Sequence, residues 1–193
     1  MNVRRATLED VPTLARTLGR AFDDDPVFQL LVPEERVARL TRFFERSLRV
    51  VHLPLGEAWV TDDLRAAALW APPGRWRVSL ADQLRMLPML SVFRGNTLLG
   101  ARMHAIVEQH HPRDAHFYLA VLGVDPDMQG KGLGAKVLAP ILDRCDAEHF
   151  DAYLESSNER NHGFYRRQGF VLQETLDLGR GARAWTMRRT PRT

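Results

Sequence analysis

Apolar residues recur at helical spacing at Leu8, Val11, Leu14, Ala15 and Leu18, which predicts a helix with one buried stripe. A short strand, Asn2 to Ala6, precedes it. Thr7-Leu8-Glu9-Asp10 between them is a near capping box with Asp in place of Glu. Asp25-Pro26 reads as an N-cap with proline in the first helical position, so a short second helix starts there. Val37, Leu40, Phe43, Phe44 and Leu48 predict a third helix over about 34–51. Ala58 to Thr61 and Ala66 to Trp70, separated by Asp62-Asp63, read as a hairpin that Ala71-Pro72-Pro73-Gly74 ends. From about Val78 to His111 the pattern is mainly helical, with interruptions near Pro88 and Gly95. This stretch, rich in Met and Leu, is expected as a helical pair, either covering one side of a pocket or belonging to the core.

His116 to Val124 is a strongly apolar strand ended by Asp125-Pro126-Asp127. A glycine-rich loop follows, then a helix with Leu133, Val137, Leu138, Ile141, Leu142 and Cys145 on one side and Pro140 inside it, where a bend is expected. Asp151 to Ser156 reads as a strand, Asn161 to Arg167 as a short helix, and Gly169-Phe170 as the start of a strand. Gly179 to Gly181 is a turn before a last strand, Ala182 to Met187. The order β-α-α-α-β-β-α-α-β-α-β-α-β-β predicts a mixed sheet with helices on its faces, one α/β (α+β) domain over residues 1–193.

Composition narrows the class. A chain of 193 residues, 45% hydrophobic and 26% charged, can bury a sizeable core without disulfides or metal. No apolar run approaches a membrane span, and Met1-Asn2-Val3-Arg4-Arg5 lacks a signal peptide's apolar stretch, so a cytoplasmic protein with no membrane partner is expected. A net charge of +3 is too mild to argue for nucleic acid. Cys145, the single cysteine, reads as a small buried hydrophobe. No His, Cys and carboxylate spacing suggests a metal site, and His110-His111 before Pro112 reads as a solvated loop.

Gln129-Gly130-Lys131-Gly132-Leu133-Gly134-Ala135 carries the chemistry. A strand enters, glycines alternate, and a helix leaves. Unpaired N–H groups and the helix dipole make an anion site there, and glycine removes the Cβ atoms that would block a phosphate. A nucleotide P-loop needs a spacing this segment does not supply. A dinucleotide fingerprint is formally matched by Gly130, Gly132 and Ala135, but too far from its strand. A structural turn with no ligand is the remaining reading.

The segment resembles motif A of the GNAT acetyltransferases, Q/R-x-x-G-x-G/A, with Gln129, Gly132 and Gly134 in its fixed positions. Asn161 to Phe170, with Phe164-Tyr165 and Gly169-Phe170, is similar to that family's ending. Within the superfamily, residues 116–190 look like the puromycin N-acetyltransferase branch, sharing Pro140, Leu154-Glu155 and Arg160-Asn161; likeness fades between Pro73 and Pro112. The resemblance implies a mostly antiparallel sheet with a V-shaped splay between the strands at about 116–124 and 151–157. It implies an acetyl-CoA-dependent N-acetyltransferase in which the acceptor amine attacks the thioester directly, and, through that branch, antibiotic resistance.

It also implies roles. Backbone N–H groups of Gln129, Gly130, Lys131, Gly132, Leu133, Gly134 and Ala135 would wrap the CoA pyrophosphate. The pantetheine arm would lie as an added strand beside Leu122, Gly123 and Val124, with the Val124 N–H facing the oxyanion. Gly123 inside an apolar strand suggests a bulge or a close approach of backbone, with plain packing as the alternative. Tyr165 would protonate the leaving thiolate, although a tyrosine after Phe164 by itself reads as core. Glu155, on one face of its strand with Tyr153, would be the base, unless it serves a structural ion pair. His116 and Tyr118 are weaker candidates for the same task or for the acceptor side. Asn158, Asn161 and Phe164 would touch the cofactor, Asn161 being equally an N-cap. Phe22, Asp25, Phe28 and Trp70 could line an acceptor pocket for an apolar amine, and core packing explains them as well. The acceptor is expected to be a small-molecule primary amine, such as an aminonucleoside antibiotic. A protein lysine or N-terminus, or a CoA-binding regulatory module without turnover, are the rivals, and a homodimer is compatible by analogy.

Overall fold

The computed structural model describes residues 2–192. Its sheet has seven strands in the order β1-β2-β3-β4-β5-β7-β6. They are β1 (Val3–Arg5), β2 (Ala58–Thr61), β3 (Ala66–Ala71), β4 (His116–Val124), β5 (Asp151–Ser156), β6 (Val171–Gly179) and β7 (Ala182–Arg189). All neighbouring pairs are antiparallel except β4 and β5. Helices α1 (Val11–Ala21), α2 (Pro26–Leu31) and α3 (Arg36–Ser47) follow β1. Leu14, Leu18, Leu40 and Phe44 from α1 and α3 join Leu69, Leu176 and Ala184 in one core layer. On the other face α7 (Leu133–Glu148) packs Val137, Leu138, Ile141 and Cys145 against Ala68, Trp70, Phe117 and Leu154. Burial pushes the Cys145 thiol up to about 12, as fits a packing residue.

The expected local signals hold where they rest on capping chemistry. The Thr7 N–H donates to Asp10 Oδ2 at 2.8 Å. The Asp25 carboxylate accepts the N–H groups of Val27 and Phe28 at 3.0 Å each, with Pro26 opening α2. The third helix ends earlier than expected, and Leu48–His52 continues it as a π turn.

Between β3 and β4 the expected helical pair is three helices, α4 (Leu80–Met86), α5 (Leu90–Phe93) and α6 (Thr97–His110). Single 3-10 turns at Leu87–Met89 and Arg94–Asn96 separate them, where Pro88 and Gly95 break the pattern. Val92 and Met103 are buried, while Leu80, Leu84, Leu87, Leu90 and Leu98 face solvent. This segment is therefore amphipathic: Val92 and Met103 join the α1 core layer, Met89, Phe93, Leu99, Ile106 and Val107 pack against it, and the outer leucines remain exposed. Among the described residues, no helix is long and apolar enough to cross a membrane.

The feature that positions the site lies in β4. Leu69 opposes Val121 and Trp70 opposes Leu119, which leaves Ala120 as an extra residue on β4. Such a bulge flips the side-chain alternation downstream. Phe117 and Leu119 face α7 before it; Leu122 and Val124 face α7 after it, and Val121 joins the α1 layer. Pairing between β4 and β5 covers only His116–Leu119 against Asp151–Leu154. Beyond that point β5 continues with β7, as far as Ser156 opposite Trp185. The two parallel strands thus separate at the bulge and leave a V-shaped opening.

Candidate active site

The β4 edge facing that opening is unpaired backbone. The Asp125 N–H donates to Arg65 O at 2.8 Å, which marks Asp125 and Arg65 as facing each other across the ladder. Antiparallel ladders alternate, so Gly123 also points its polar groups at β3, while Leu122 and Val124 point theirs away, into the opening. The Val124 carbonyl agrees with this direction, since it accepts Gln129 Nε2 at 3.3 Å instead of a β3 donor. Gly123 has its own reason to be glycine. A methyl there would stand 2.5 Å from Leu18 Cδ2 and 3.3 Å from Ala21 Cβ. Every atom that this methyl would meet belongs to a side chain, so Gly123 is a packing glycine against α1, and the bulge sits at Ala120 instead.

Past β4 the chain makes a 3-10 turn at Pro126–Met128, which Asp125 caps by accepting the Asp127 N–H at 3.1 Å. Gly130 and Gly132 follow at φ of 76° and 77°, left-handed conformations in which a side chain's Cβ would meet nothing within 4 Å. These two glycines leave a bare backbone concavity. The first turn of α7 points its N–H groups at it, and Lys136 is the position where the helix's return bond to Gly132 O begins, at 3.2 Å. Lys131 folds back, with Nζ 3.1 Å from Asp127 O. Gly134 answers a different need, because a Cβ there would come within 3.2 Å of Phe164 Cζ. Leu133 is buried beneath the turn, and Ala135 lies in the first turn of α7.

Two polar groupings flank the opening. The first surrounds Tyr165, on α8 (His162–Arg167). Its ring is buried against Phe164 and Phe170, and its hydroxyl makes no hydrogen bond to another described residue. Burial first, and the Asp25 charge second, push this phenol well above the ordinary tyrosine range, so it keeps its proton at neutral pH. Asp25 also accepts the Ser157 hydroxyl. Burial raises the Asp25 carboxyl, opposed by the bonds from Ser157, Phe28 and Val27.

The second grouping surrounds Glu155, the first β5 residue beyond the paired stretch. Its side chain is only 7% exposed, and Oε1 lies 3.2 Å from His111 Nδ1. His111 Nε2 lies 3.0 Å from His116 Nε2, and His116 Nδ1 donates to the Asp114 carbonyl at 2.8 Å. Tyr118 and Tyr153 set their rings edge-on to His111 at 4.7 and 4.9 Å. Burial, then the Glu155 charge, raises both phenols. Burial lowers His116. Trp76 stacks on His111 with ring centres 3.8 Å apart.

Sequence reasoning singled out Glu155, His116 and Tyr118, and the fold brings them together. It missed His111, read as a solvated loop but buried at 6% exposure. Pro112 was the available signal: it disfavours helix at His111, whose ψ of 131° turns the side chain inward. Trp76, Tyr153 and Ser157 were not proposed as site residues either. Phe22 and Phe28 pack edge to face at 5.7 Å, beside Phe43 and Phe44 on the α1 side. Trp70 is fully buried on the α7 side, away from the Glu155 grouping. Asn158 caps the turn before α8 by accepting the Arg160 N–H at 3.1 Å. Asn161 occupies the N-cap position of α8 without a side-chain capping bond.

A mixed sheet opened between its parallel pair, with a glycine turn and a helix start at the mouth, is the architecture of an N-acetyltransferase. Residues 55–170 match the acetyltransferase (GNAT) family. An N-acetyltransferase of Schizosaccharomyces pombe is 32% identical over 93% of this chain and 78% of its own length. A mycothiol acetyltransferase of Propionibacterium freudenreichii is 38% identical over 43% of this chain, covering 27% of that enzyme. A Corynebacterium glutamicum crystal structure described as a histone acetyltransferase and related acetyltransferase shares the fold, with a TM-score of 0.74 at 22% identity over 100% of this chain and 97% of that one. A polyamine N-acetyltransferase of Drosophila melanogaster aligns with a TM-score of 0.65 at 16% identity over 97% and 98%. The chain belongs to the acetyltransferase (GNAT) family, and it is an N-acetyltransferase.

Proposed function

We propose that the chain transfers an acetyl group from acetyl-CoA to a primary amine on a small molecule. The observation that carries this reading is the unpaired β4 edge running from the bulge to the glycine turn. Members of the family use acetyl-CoA, and the residues present fit its shape. Leu122 and Val124 offer N–H and C=O groups to an extended amide-bearing arm, as an added strand would use them. Gly130 and Gly132 leave room for a pyrophosphate against the N–H groups of α7. Phe164 packs against Gly134 at the same mouth, and Asn158 and Asn161, in the turn before α8, would reach the cofactor from there. When bound, acetyl-CoA supplies the thioester. The chain's own residues then hold it, aim the Val124 N–H at the developing oxyanion, offer the Tyr165 proton to sulfur and use Glu155 as base.

The acceptor side is read from the opposite wall. Phe22 and Phe28 give an apolar aromatic surface, and Asp25 a carboxylate close to Tyr165. Those suit an amine carrying an apolar body, including an aminonucleoside such as puromycin, and such a substrate would make the protein a resistance enzyme.

The test is thiol release from acetyl-CoA against puromycin, aminoglycosides, polyamines, amino acids and lysine peptides. Turnover with a small amine is the expected result. Turnover with peptides alone would replace the acceptor assignment with a protein substrate. Acetyl-CoA binding without turnover on any amine would favour a CoA-binding module.

A further inference from the structure

We propose that His111, His116 and Glu155 form one proton-holding unit, and that this unit, not Glu155 alone, receives the proton of the acceptor's ammonium group. The inference rests on the acetyl-transfer reading for its role and on geometry for its existence.

The hydrogen bonds constrain where protons sit. Asp114 O is a carbonyl and accepts, so His116 Nδ1 carries a hydrogen across their 2.8 Å contact. Neutral His116 then presents a lone pair at Nε2, and the 3.0 Å contact to His111 Nε2 needs a hydrogen on His111. The 3.2 Å contact between His111 Nδ1 and Glu155 Oε1 needs another, on the ring or on the carboxyl. With His111 singly protonated and Glu155 ionised, one of these two contacts sets lone pair against lone pair. One added proton satisfies all three contacts at once. Unmatched buried polar contacts are costly, so the site favours holding that proton.

The surroundings suit a cation on His111. Trp76 lies face-on to the ring at 3.8 Å, and aromatic faces attract cations; Tyr118 and Tyr153 close two further sides and exclude water. Glu155 supplies the opposite charge. The other charged groups stand outside this shell. Arg77 sits on Trp76, 4.9 Å from a ring centre. Arg188 is occupied by Asp114 and Asp151, and Glu174 on β6 faces His110 at 3.9 Å. Burial lowers His116, opposed by its bond to the Asp114 carbonyl, a direction that favours its part as acceptor.

Protons and bonds balance across the step. The unit, first emptied of its proton to solvent, takes one proton from the ammonium, breaking an N–H bond. The free amine forms the C–N bond at the thioester carbonyl, and the C–S bond breaks. The amine nitrogen's second proton equals the one that sulfur receives through Tyr165, so the thiol leaves neutral and Tyr165 ends as it began. One proton remains on the unit and returns to solvent.

The first test needs no substrate. Nitrogen-15 histidine spectra of the wild-type protein should show both ring nitrogens of His111 protonated at pH 6, and loss of one proton as pH rises. Glu155→Gln should leave His111 with a single N–H throughout. One N–H on each of His111 and His116 together with an ionised Glu155 carboxylate, read from its carbon-13 shift, from pH 5 to 9 in the wild type would overturn the unit. The second test uses the most active amine of the panel. The acid limb of kcat/KM, which reports the free enzyme, should coincide with the His111 midpoint, and His111→Gln should move it by at least about one pH unit at unchanged acetyl-CoA KM. A limb that ignores both removes the catalytic role. A doubly protonated His111 in a protein that turns over no amine would sink the acetyl-transfer reading instead, and leave the unit as a buried ion pair.

Discussion

Gly123 of β4 and Leu18 of α1 are in contact so close that a single methyl on the glycine would stand 2.5 Å from Leu18 Cδ2. The unpaired strand edge is thereby seated directly on the first helix. Gly123→Ala should destabilise the fold by about 1–3 kcal/mol, the usual cost of overpacking. Since α1 would push β4 out of the plane of the sheet, acetyl-CoA affinity should fall as well. Thermal unfolding and calorimetric titration with acetyl-CoA measure the two effects. An Ala variant as stable and as tight-binding as wild type would show that α1 yields freely and does not fix the edge.

The glycine turn makes a different prediction, because Gly130 and Gly132 have open space where a Cβ would be. Gly130→Asp with Gly132→Asp introduces no clash, and aspartate tolerates left-handed backbone better than most residues. Its cost to stability should be about 2–4 kcal/mol, at about 1–2 kcal/mol for each left-handed position. Two carboxylates facing a pyrophosphate should weaken CoA binding by at least about 100-fold, equivalent to about 2.8 kcal/mol. Gly134 is unsuited to the same test, because Phe164 blocks its side chain. Normal CoA affinity in the folded double variant would move the phosphates elsewhere.

Tyr165→Phe separates chemistry from packing. The hydroxyl has no hydrogen-bond partner among the described residues, so the ring's contacts with Phe164 and Phe170 survive its removal. Stability should change by less than about 0.5 kcal/mol, in the range of substitutions away from structural features. If Tyr165 protonates the leaving sulfur, kcat should fall about 10²–10⁴-fold, as for other lost general acids, with acetyl-CoA affinity retained. Steady-state kinetics with the best amine decides it, and an unchanged kcat would take Tyr165 out of the mechanism.

Much of this was legible in the chain. Asp25-Pro26, Pro88, Gly95 and the glycine turn act through local backbone chemistry, and each sits in the structure where the pattern put it. The unbroken apolar run of β4 hid what mattered most. With apolar residues on both faces, nothing in His116–Val124 reveals the extra residue at Ala120, and so nothing reveals where the two parallel strands part. The facing of Trp70 depends on pairing with Leu119 across that register, which places it behind the sheet. His111 was hidden for another reason. Its burial depends on Trp76, Tyr153 and Glu155 arriving from distant parts of the sequence, while the adjacent His110 remains exposed.

Acid sensitivity should report the N-terminal anchor. Arg4 holds Asp10 through two bonds, at 2.7 and 2.8 Å. Mainly through that pairing, with the Thr7 N–H assisting against burial, the Asp10 carboxyl falls from 3.8 to about 2. A carboxyl depressed in the folded state stabilises the fold above its unfolded value, and the stability is lost as pH falls through the folded one. The window is therefore between about pH 4 and pH 2. Arg4 is 39% exposed, so water screens the pair and the contribution should be on the order of 1–2 kcal/mol. Asp10→Asn should lose that amount at pH 7 and flatten the decline of stability between pH 4 and pH 2. Urea unfolding at both pH values measures the difference. Equal slopes in wild type and variant would assign acid sensitivity to other carboxylates, Asp146 with Arg189 being next in order, since that guanidinium is buried and held at 2.6 and 2.8 Å.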